Sequence, residues 1–293
     1  MGTPCAKKTK STATTMRTLR CVGRLGRSRI LRLFSTTGSE QILLESASDV
    51  SILTLNRPKA NAMGRQFLGE LRSALDQCQD TRCLVLTSHS HKVFSAGADL
   101  KERATMTQEE AETFVAELRD TMQLVAELPF PVVACIEGVA LGGGLELALA
   151  ADIRVASESA TLGLPETSLA IIPGAGGTQR LPRIVGEARA KELIWMGRRL
   201  NGREAYGYGM VNAVTDSGMA MEEALAIASK IASHGPIAIR ASKESIHRGL
   251  EAATMREALE IERSCYAKVL PTNDRLEGLA AFKEGREPVY RGY

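Results

Sequence analysis

Apolar positions along the chain follow two rhythms. Short, nearly unbroken apolar runs stand at 50–55 (VSILTL), 83–87 (CLVLT) and 132–137, and shorter ones at 153–156 and 160–163. Runs of that length, bounded by turn residues such as Asn56-Arg57-Pro58, predict strands. Between them the apolar spacing lengthens to three and four. Phe67, Leu68, Leu71, Leu75 and Cys78 predict one helix, and Phe114, Leu118, Met122 and Val125 predict a longer one over about 108–128, stopped by Pro129 and Pro131. Gly142-Gly143-Gly144 opens a helix over 145–151, and the glycine-rich loop 173–177 opens another over 178–184. Beyond about residue 216 the strands cease. Helices are predicted over 219–233, 236–248, 252–268 and 274–283, with Asp274 and Glu277 forming a capping box on the last. Mixed strands and helices followed by helices alone predict an α/β fold. The helical tail is either a subunit surface or the closing layer of the same core.

Composition changes this picture at one end only. Of 293 residues, 44% are hydrophobic and 24% charged, as in an ordinary globular protein. The net charge of +3 is unevenly spread. Residues 1–38 hold nine of the basic residues and no acidic one, so the rest of the chain carries 28 basic against 34 acidic, a net of −6. An Arg- and Ser-rich leader without acids has the composition of an organellar transit peptide, expected over residues 1–34 with cleavage after Phe34. The most apolar stretch, 132–153, contains Glu137, Glu146, Asp152 and three consecutive glycines, which argues against a membrane span. Aromatic residues make up only 4%, little material for a base-stacking surface.

Familiar chemistries fall away on spacing. Cys78, Cys83, Cys135 and Cys265 form no C-x-x-C and do not cluster with histidine, so buried free thiols are expected and no metal site. His89, His91, His234 and His247 have no ligand or triad spacing and are expected on the surface. Gly142-Gly143-Gly144 has Leu147, and Gly174-Ala175-Gly176 has Gln179, where a dinucleotide fingerprint needs its last glycine; no G-x-x-x-x-G-K or G-x-S-x-G occurs. What remains is a glycine-rich helix start, whose amides lack intrahelical partners and favour a negative oxygen. Two carboxyls, Glu146 and Glu166, stand in apolar contexts. Two such groups suit general acid–base work when burial raises one pKa while the other stays ionised. Sequence spacing does not bring them together, and each alone reads first as an ordinary acid, Glu146 complementing a helix dipole and Glu166 in a loop.

These residues also form an ordered set: Asn56-Arg57-Pro58, then Ser95 through Lys101 (SAGADLK), Ala140 through Glu146 (ALGGGLE), Gly163 through Glu166 (GLPE), Ile172 through Leu181 (IPGAGGTQRL) and Asp274 through Gly278 (DRLEG). With them the chain, from about 50 to 286, resembles the enoyl-CoA hydratases of the crotonase superfamily, and most closely the mitochondrial branch that includes methylglutaconyl-CoA hydratase and the enoyl-CoA hydratase domain-containing proteins. The resemblance implies a crotonase-like spiral of β-β-α turns over 35–216 and an all-helical trimerisation region over 217–293, with trimers pairing into hexamers in the mitochondrial matrix. It implies an acyl-CoA substrate and no further cofactor or metal. By motif match, the amides of Ala98 and Gly143 form an oxyanion hole, and Ala98, Asp99, Leu100 and Lys101 lie along the CoA. Glu146 acts as base on water, Glu166 as acid toward Cα, and the Gly174 amide helps hold the reacting water.

The chain departs from that pattern in two places. The 56–62 turn is one residue shorter than in typical short-chain hydratases. Gly285 stands where those enzymes carry a phosphate-contacting lysine, which leaves Lys283 or Arg286 to substitute. Three rival readings follow. An isomerase of the same fold typically keeps only the second carboxylate. An inactive structural subunit would have no use for the paired acids. An RNA-binding relative needs a basic first helix, whereas here Arg65 and Arg72 are balanced by Glu70 and Asp76. The acyl group is open: a substrate with a distal carboxylate requires a cation that sequence does not place. Fatty-acid and branched-chain amino-acid breakdown both fit.

Overall fold

The computed structural model describes residues 40–47 and 49–293. The leader, residues 1–34, and its expected cleavage site after Phe34 lie outside the described residues. Strands β1 (Ile42–Ala47), β2 (Val50–Leu55), β3 (Cys83–Ser88), β5 (Val132–Ile136), β7 (Ile153–Ser157) and β10 (Ala213–Thr215) form a six-stranded sheet in that order. Only the β1–β2 pair is antiparallel. Strands β4 (Val93–Ser95), β6 (Val139–Leu141), β8 (Thr161–Gly163) and β9 (Arg199–Asn201) form a second sheet, parallel except for β9. The chain therefore gives one strand to each sheet in turn, β3 then β4, β5 then β6, β7 then β8. A helix follows before the next turn. The helices are α1 (Arg65–Asp76), α2 (Leu100–Arg103), α3 (Gln108–Glu127), α4 (Gly143–Ala150), α5 (Gly177–Val185), α6 (Glu187–Trp195) and α7 (Gly202–Gly207). The expected spiral of β-β-α turns is the fold observed.

The continuous apolar runs have a physical reason. Parallel strands are covered on both faces and need no polar alternation. In β3, Leu84 and Leu86 face the main core with Phe67, Phe94 and Phe114, while Cys83 and Val85 face the opposite side. That side is closed by α8 (Ala220–Ala232). Ala220, Ala224, Ala228 and Ala232 recur every fourth residue, all buried, so one face of α8 lies close on the sheet. The carboxylate of Glu137 accepts from the Gly218 and Ala220 amides at the start of this helix, satisfying donors that have no intrahelical partner. The first helix of the tail is thus the closing layer of the core.

Helices α9 (Pro236–Glu251), α10 (Met255–Val269) and α11 (Asn273–Glu284) differ. They bury few of their own side chains and expose Leu250, Met255, Tyr266, Leu279 and Phe282. The expected Asp274–Glu277 capping box does not form. Thr272 is the N-cap of α11, and its hydroxyl accepts from the Arg275 amide. Asp274, one turn position inside the helix, is buried and accepts from the Arg291 and Gly292 amides, while Glu277 pairs with Arg286. The helix starts earlier than its acidic residues suggest, and the carboxylates serve the chain's last residues instead. Cys78, Cys83, Cys135 and Cys265 are free and buried, as expected, and the four histidines are exposed. No described helix is long and apolar enough to cross a membrane.

Candidate active site

The three-glycine segment lies where β6 of the second sheet passes into α4. The Gly142 amide donates to Gly163 O of β8, and α4 then starts at Gly143. Opposite it runs the segment after β4. Ser95 is fully buried and its hydroxyl donates to Asn61 O and accepts from the Gly97 amide. The Met63 amide donates to Gly97 O, and the Asp99 amide donates to Met63 O. These bonds fix Ala98 between them with its own amide free. A β-carbon on Gly143 would lie 3.5 Å from the Ala98 nitrogen. The two amides are therefore neighbours, and neither has an acceptor in the chain among the described residues. Gly97 makes this approach possible. Its φ is +90°, and a β-carbon there would sit 2.8 Å from Leu141 O and 2.9 Å from Gly143 N. Sequence reading had noted Gly97 only as part of the motif.

Both carboxylates open into one cavity of about 710 Å³ that these amides also line. Glu146, in the first turn of α4, is only 3% exposed. Its Oε1 accepts from the Ala175 and Gly177 amides, each at 2.8 Å, while Oε2 has no partner in the chain. Burial raises its pKa, opposed by those two amides and by the charges of Arg180 and Arg119. Glu166 opens the 3₁₀ turn Glu166–Leu169 after β8 and is half-buried. Its Oε2 is buried with no hydrogen-bond partner. Burial first, and the nearby charge of Glu146 next among the raising influences, push its pKa up to about 7, against its own amide and Arg103. A β-carbon on Gly142 would lie 3.1 Å from Glu166 Oε1, so the bare glycine leaves room for this carboxyl beside the amide pair.

The remaining expected residues divide. Gly174 lines the cavity with an amide free of any acceptor in the chain, and its carbonyl accepts from Arg119 Nε at 3.1 Å. Leu100 lines the cavity, whereas Lys101 is exposed outside it. Asp99 turns its side chain away to cap α2, accepting from the Lys101 and Glu102 amides, and pairs with Arg57 at 2.6 Å. Of the two candidate phosphate cations, Arg286 is held by Glu277 and Glu284, while Lys283 is exposed and unpaired among the described residues. Gly285 itself is the left-handed C-cap of α11, at φ 69°.

Several contributors were not legible in sequence. Ala175 and Gly177 hold Glu146. Arg180 holds their loop, donating to Ala175 O at 3.1 Å and to Gln123 Oε1 at 2.7 Å. The arginines in IPGAGGTQRL and in α3 offered no periodic or spacing signal for this role. No cluster of metal-ligating side chains occurs among the described residues. An amide pair free to bind an oxyanion, beside two carboxyls of unequal surroundings, can polarise a carbonyl and move protons at the atoms next to it.

Residues 45–293 match the family model described as enoyl-CoA hydratase/isomerase. The chain is 45% identical to enoyl-CoA hydratase domain-containing protein 2, mitochondrial, of Mus musculus, over 94% of this chain and 96% of that protein. It is 45% identical to methylglutaconyl-CoA hydratase, mitochondrial, of Homo sapiens, over 85% of this chain and 76% of that one. The crystal structure of an enoyl-CoA hydratase from Bacillus anthracis superposes with a TM-score of 0.84 at 50% identity, covering 87% of this chain and 100% of that chain.

Proposed function

The chain belongs to the enoyl-CoA hydratase/isomerase family, and from that premise we propose that it adds water across the 2,3 double bond of a 2-enoyl-CoA thioester. The observation that carries this reading is the pair Glu146 and Glu166 in one cavity with the free amides of Ala98 and Gly143. Hydration puts negative charge on the thioester oxygen as water attacks C3. Two preorganised amides stabilise that charge, each worth about 3 kcal/mol. Glu146, held through Oε1, presents Oε2 to water and takes its proton. Glu166, with its pKa near 7, is half protonated at neutral pH and delivers a proton to Cα. Their charges interact, so the two carboxyls titrate as a pair. In this reading the free Gly174 amide donates to the reacting water.

The isomerase reading moves a proton between carbons and uses no water. It has no role for a second carboxylate clamped by two amides. The RNA-binding reading is disfavoured by the first helix: Arg72 is spent on Thr121 Oγ1 and Glu117 O, and Arg65 lies 3.9 Å from Glu110. Lys283 remains as the cation for a CoA phosphate. The exposed apolar residues of α9–α11 fit a trimer surface, with trimers pairing into hexamers. The acid-free leader, together with the mitochondrial relatives, supports action in the mitochondrial matrix. The test follows crotonyl-CoA hydration as loss of the conjugated thioester absorbance, beside Glu146→Gln and Glu166→Gln. Turnover lost in both variants is the expected result. Wild-type protein that shifts a 3,4 double bond without hydrating crotonyl-CoA sinks the hydratase reading in favour of isomerase.

A further inference from the structure

Loop 173–177 hangs from one face of α3. Val115, Arg119 and Gln123 are spaced four residues apart along that helix, so they form one stripe. Each member meets the loop or its anchor. A β-carbon on Gly174 would lie 2.8 Å from Val115 Cγ1, so the bare glycine rests against that side chain. Arg119 Nε donates to Gly174 O at 3.1 Å. Gln123 Oε1 accepts from Arg180 Nη2, while Arg180 Nη1 donates to Ala175 O. Arg180 also lies flush on the loop: a β-carbon on Gly176 would fall 2.1 Å from Nη1.

The peptide units of the loop give these contacts a direction. Gly174 O and the Ala175 amide belong to one unit. It accepts from Arg119 at one end and donates to Glu146 Oε1 at the other, at 2.8 Å. The Gly176–Gly177 unit repeats the arrangement. Gly176 O accepts from the Gln179 and Arg180 amides, and the Gly177 amide donates to the same oxygen of Glu146. Hydrogen bonds in series polarise one another, so a donor on a carbonyl strengthens the amide beyond it. In the second unit the donors are neutral amides, and in the first the donor is a cation. Arg119 is exposed, so its hold on the site rests on this bond and not on burial. With both ends of the first unit held and Val115 against the α-carbon, the direction of the Gly174 amide is fixed as well.

Resting on the hydratase reading for the water, we propose that Arg119 is a positioning residue shared by the base and the water. Through the Gly174–Ala175 peptide it strengthens the clamp on Glu146, and through Gly174 it aims the amide that meets the reacting water. Val115 and Gln123 complete the template. The charged groups facing Glu146 are Arg119 from α3, Arg180 from α5 and Glu166 from the 3₁₀ turn. The two arginines favour its ionised form, and a charge on Glu166 opposes it.

The test reads Glu146 without substrate. Infrared difference spectra of the full chain follow the C=O stretch of the protonated carboxyl against pH, assigned by its loss in Glu146→Gln. Arg119→Met removes donor and charge together and should move the titration midpoint to higher pH. Arg119→Lys keeps the charge and should recover much of that shift. An unmoved midpoint in Arg119→Met overturns the proposal, as does a lysine variant no better than methionine. In crotonyl-CoA hydration, Arg119→Met should lower kcat about 3- to 10-fold with KM little changed, the weight of one modest hydrogen bond. A loss carried by KM instead assigns Arg119 to substrate binding, and the proposal falls. Gly174→Ala should lower kcat by driving a methyl into Val115, and Val115→Ala in that background should restore it. An unrestored double variant overturns the template. If the wild type hydrates no enoyl thioester, the hydratase reading falls, and the Glu146 midpoint alone decides the clamp.

Discussion

Glu146 and Glu166 meet in one cavity but come from regions built in opposite ways. The Glu146 region is over-determined. A buried helix start presents the side chain, two backbone amides clamp one oxygen, and Arg180 ties their loop to Gln123 on α3. The Glu166 region is sparse. A short 3₁₀ turn carries a carboxyl whose buried Oε2 has no partner. The first arrangement fixes one carboxylate oxygen with donors that oppose the rise burial imposes on its pKa. The second favours a carboxyl that holds its proton at neutral pH, because nothing replaces the water that burial removes. Two residues of one type acquire different surroundings from the segments that fold around them.

The comparison breaks first at the carboxyls themselves. Glu146→Gln and Glu166→Gln should each lower kcat for crotonyl-CoA by about 10²–10⁴-fold. The double variant should lose much less than the product of the two, because they act as a unit. Full multiplicativity would mean they act independently. The amides shared by both regions come next. Gly97→Ala places a methyl against Leu141 O and Gly143 N, so kcat should fall about 10²–10³-fold. Unchanged kcat in a folded protein would remove Ala98 and Gly143 from the oxyanion role.

Smaller effects sharpen the contrast. Arg180→Leu removes a charge that favours ionised Glu146 and frees its loop. Losing that charge-assisted bond should cost about 10-fold in kcat/KM. It should also move the acid limb of the pH profile upward, because Glu146 then holds its proton to higher pH. Equal losses at every pH would reduce Arg180 to a purely structural role. The alkaline limb belongs to Glu166. Its protonated form is the active one for hydration, so kcat/KM should decline as pH rises through about 7. Arg103→Gln removes a cation that favours the ionised form, and the limb should shift to higher pH. A shift to lower pH would contradict the opposing charge of Arg103 on Glu166.

Much of this was legible in the chain before its folding was known. The buried parallel strands announced themselves as apolar runs because both faces of the sheet are covered. The four tail helices lie within a few residues of their periodicity. Elements of three residues, such as β4, β6 and β10, carry no period to read. At the site, residue types were visible but partnerships were not. Asp274 looked like a capping acid, and it accepts instead from the Arg291 and Gly292 amides, while Asp99 caps α2 and pairs with Arg57. Gly174 drew attention in its loop, while the amides that hold Glu146 are those of Ala175 and Gly177.

The sequence by itself determined what is local: the strands, the helices, the glycines that permit close backbone approach, and the acids present as candidates. Motif order added the family. Tertiary structure alone decided which polar groups meet and how far water is excluded from them. Those two quantities set the protonation of Glu146 and Glu166. The reason is physical. A side chain's charge state depends on solvation and on neighbours supplied by distant segments, and here three turns of the spiral, β4 to α2, β6 to α4 and β8 to α5, bring those segments to one cavity.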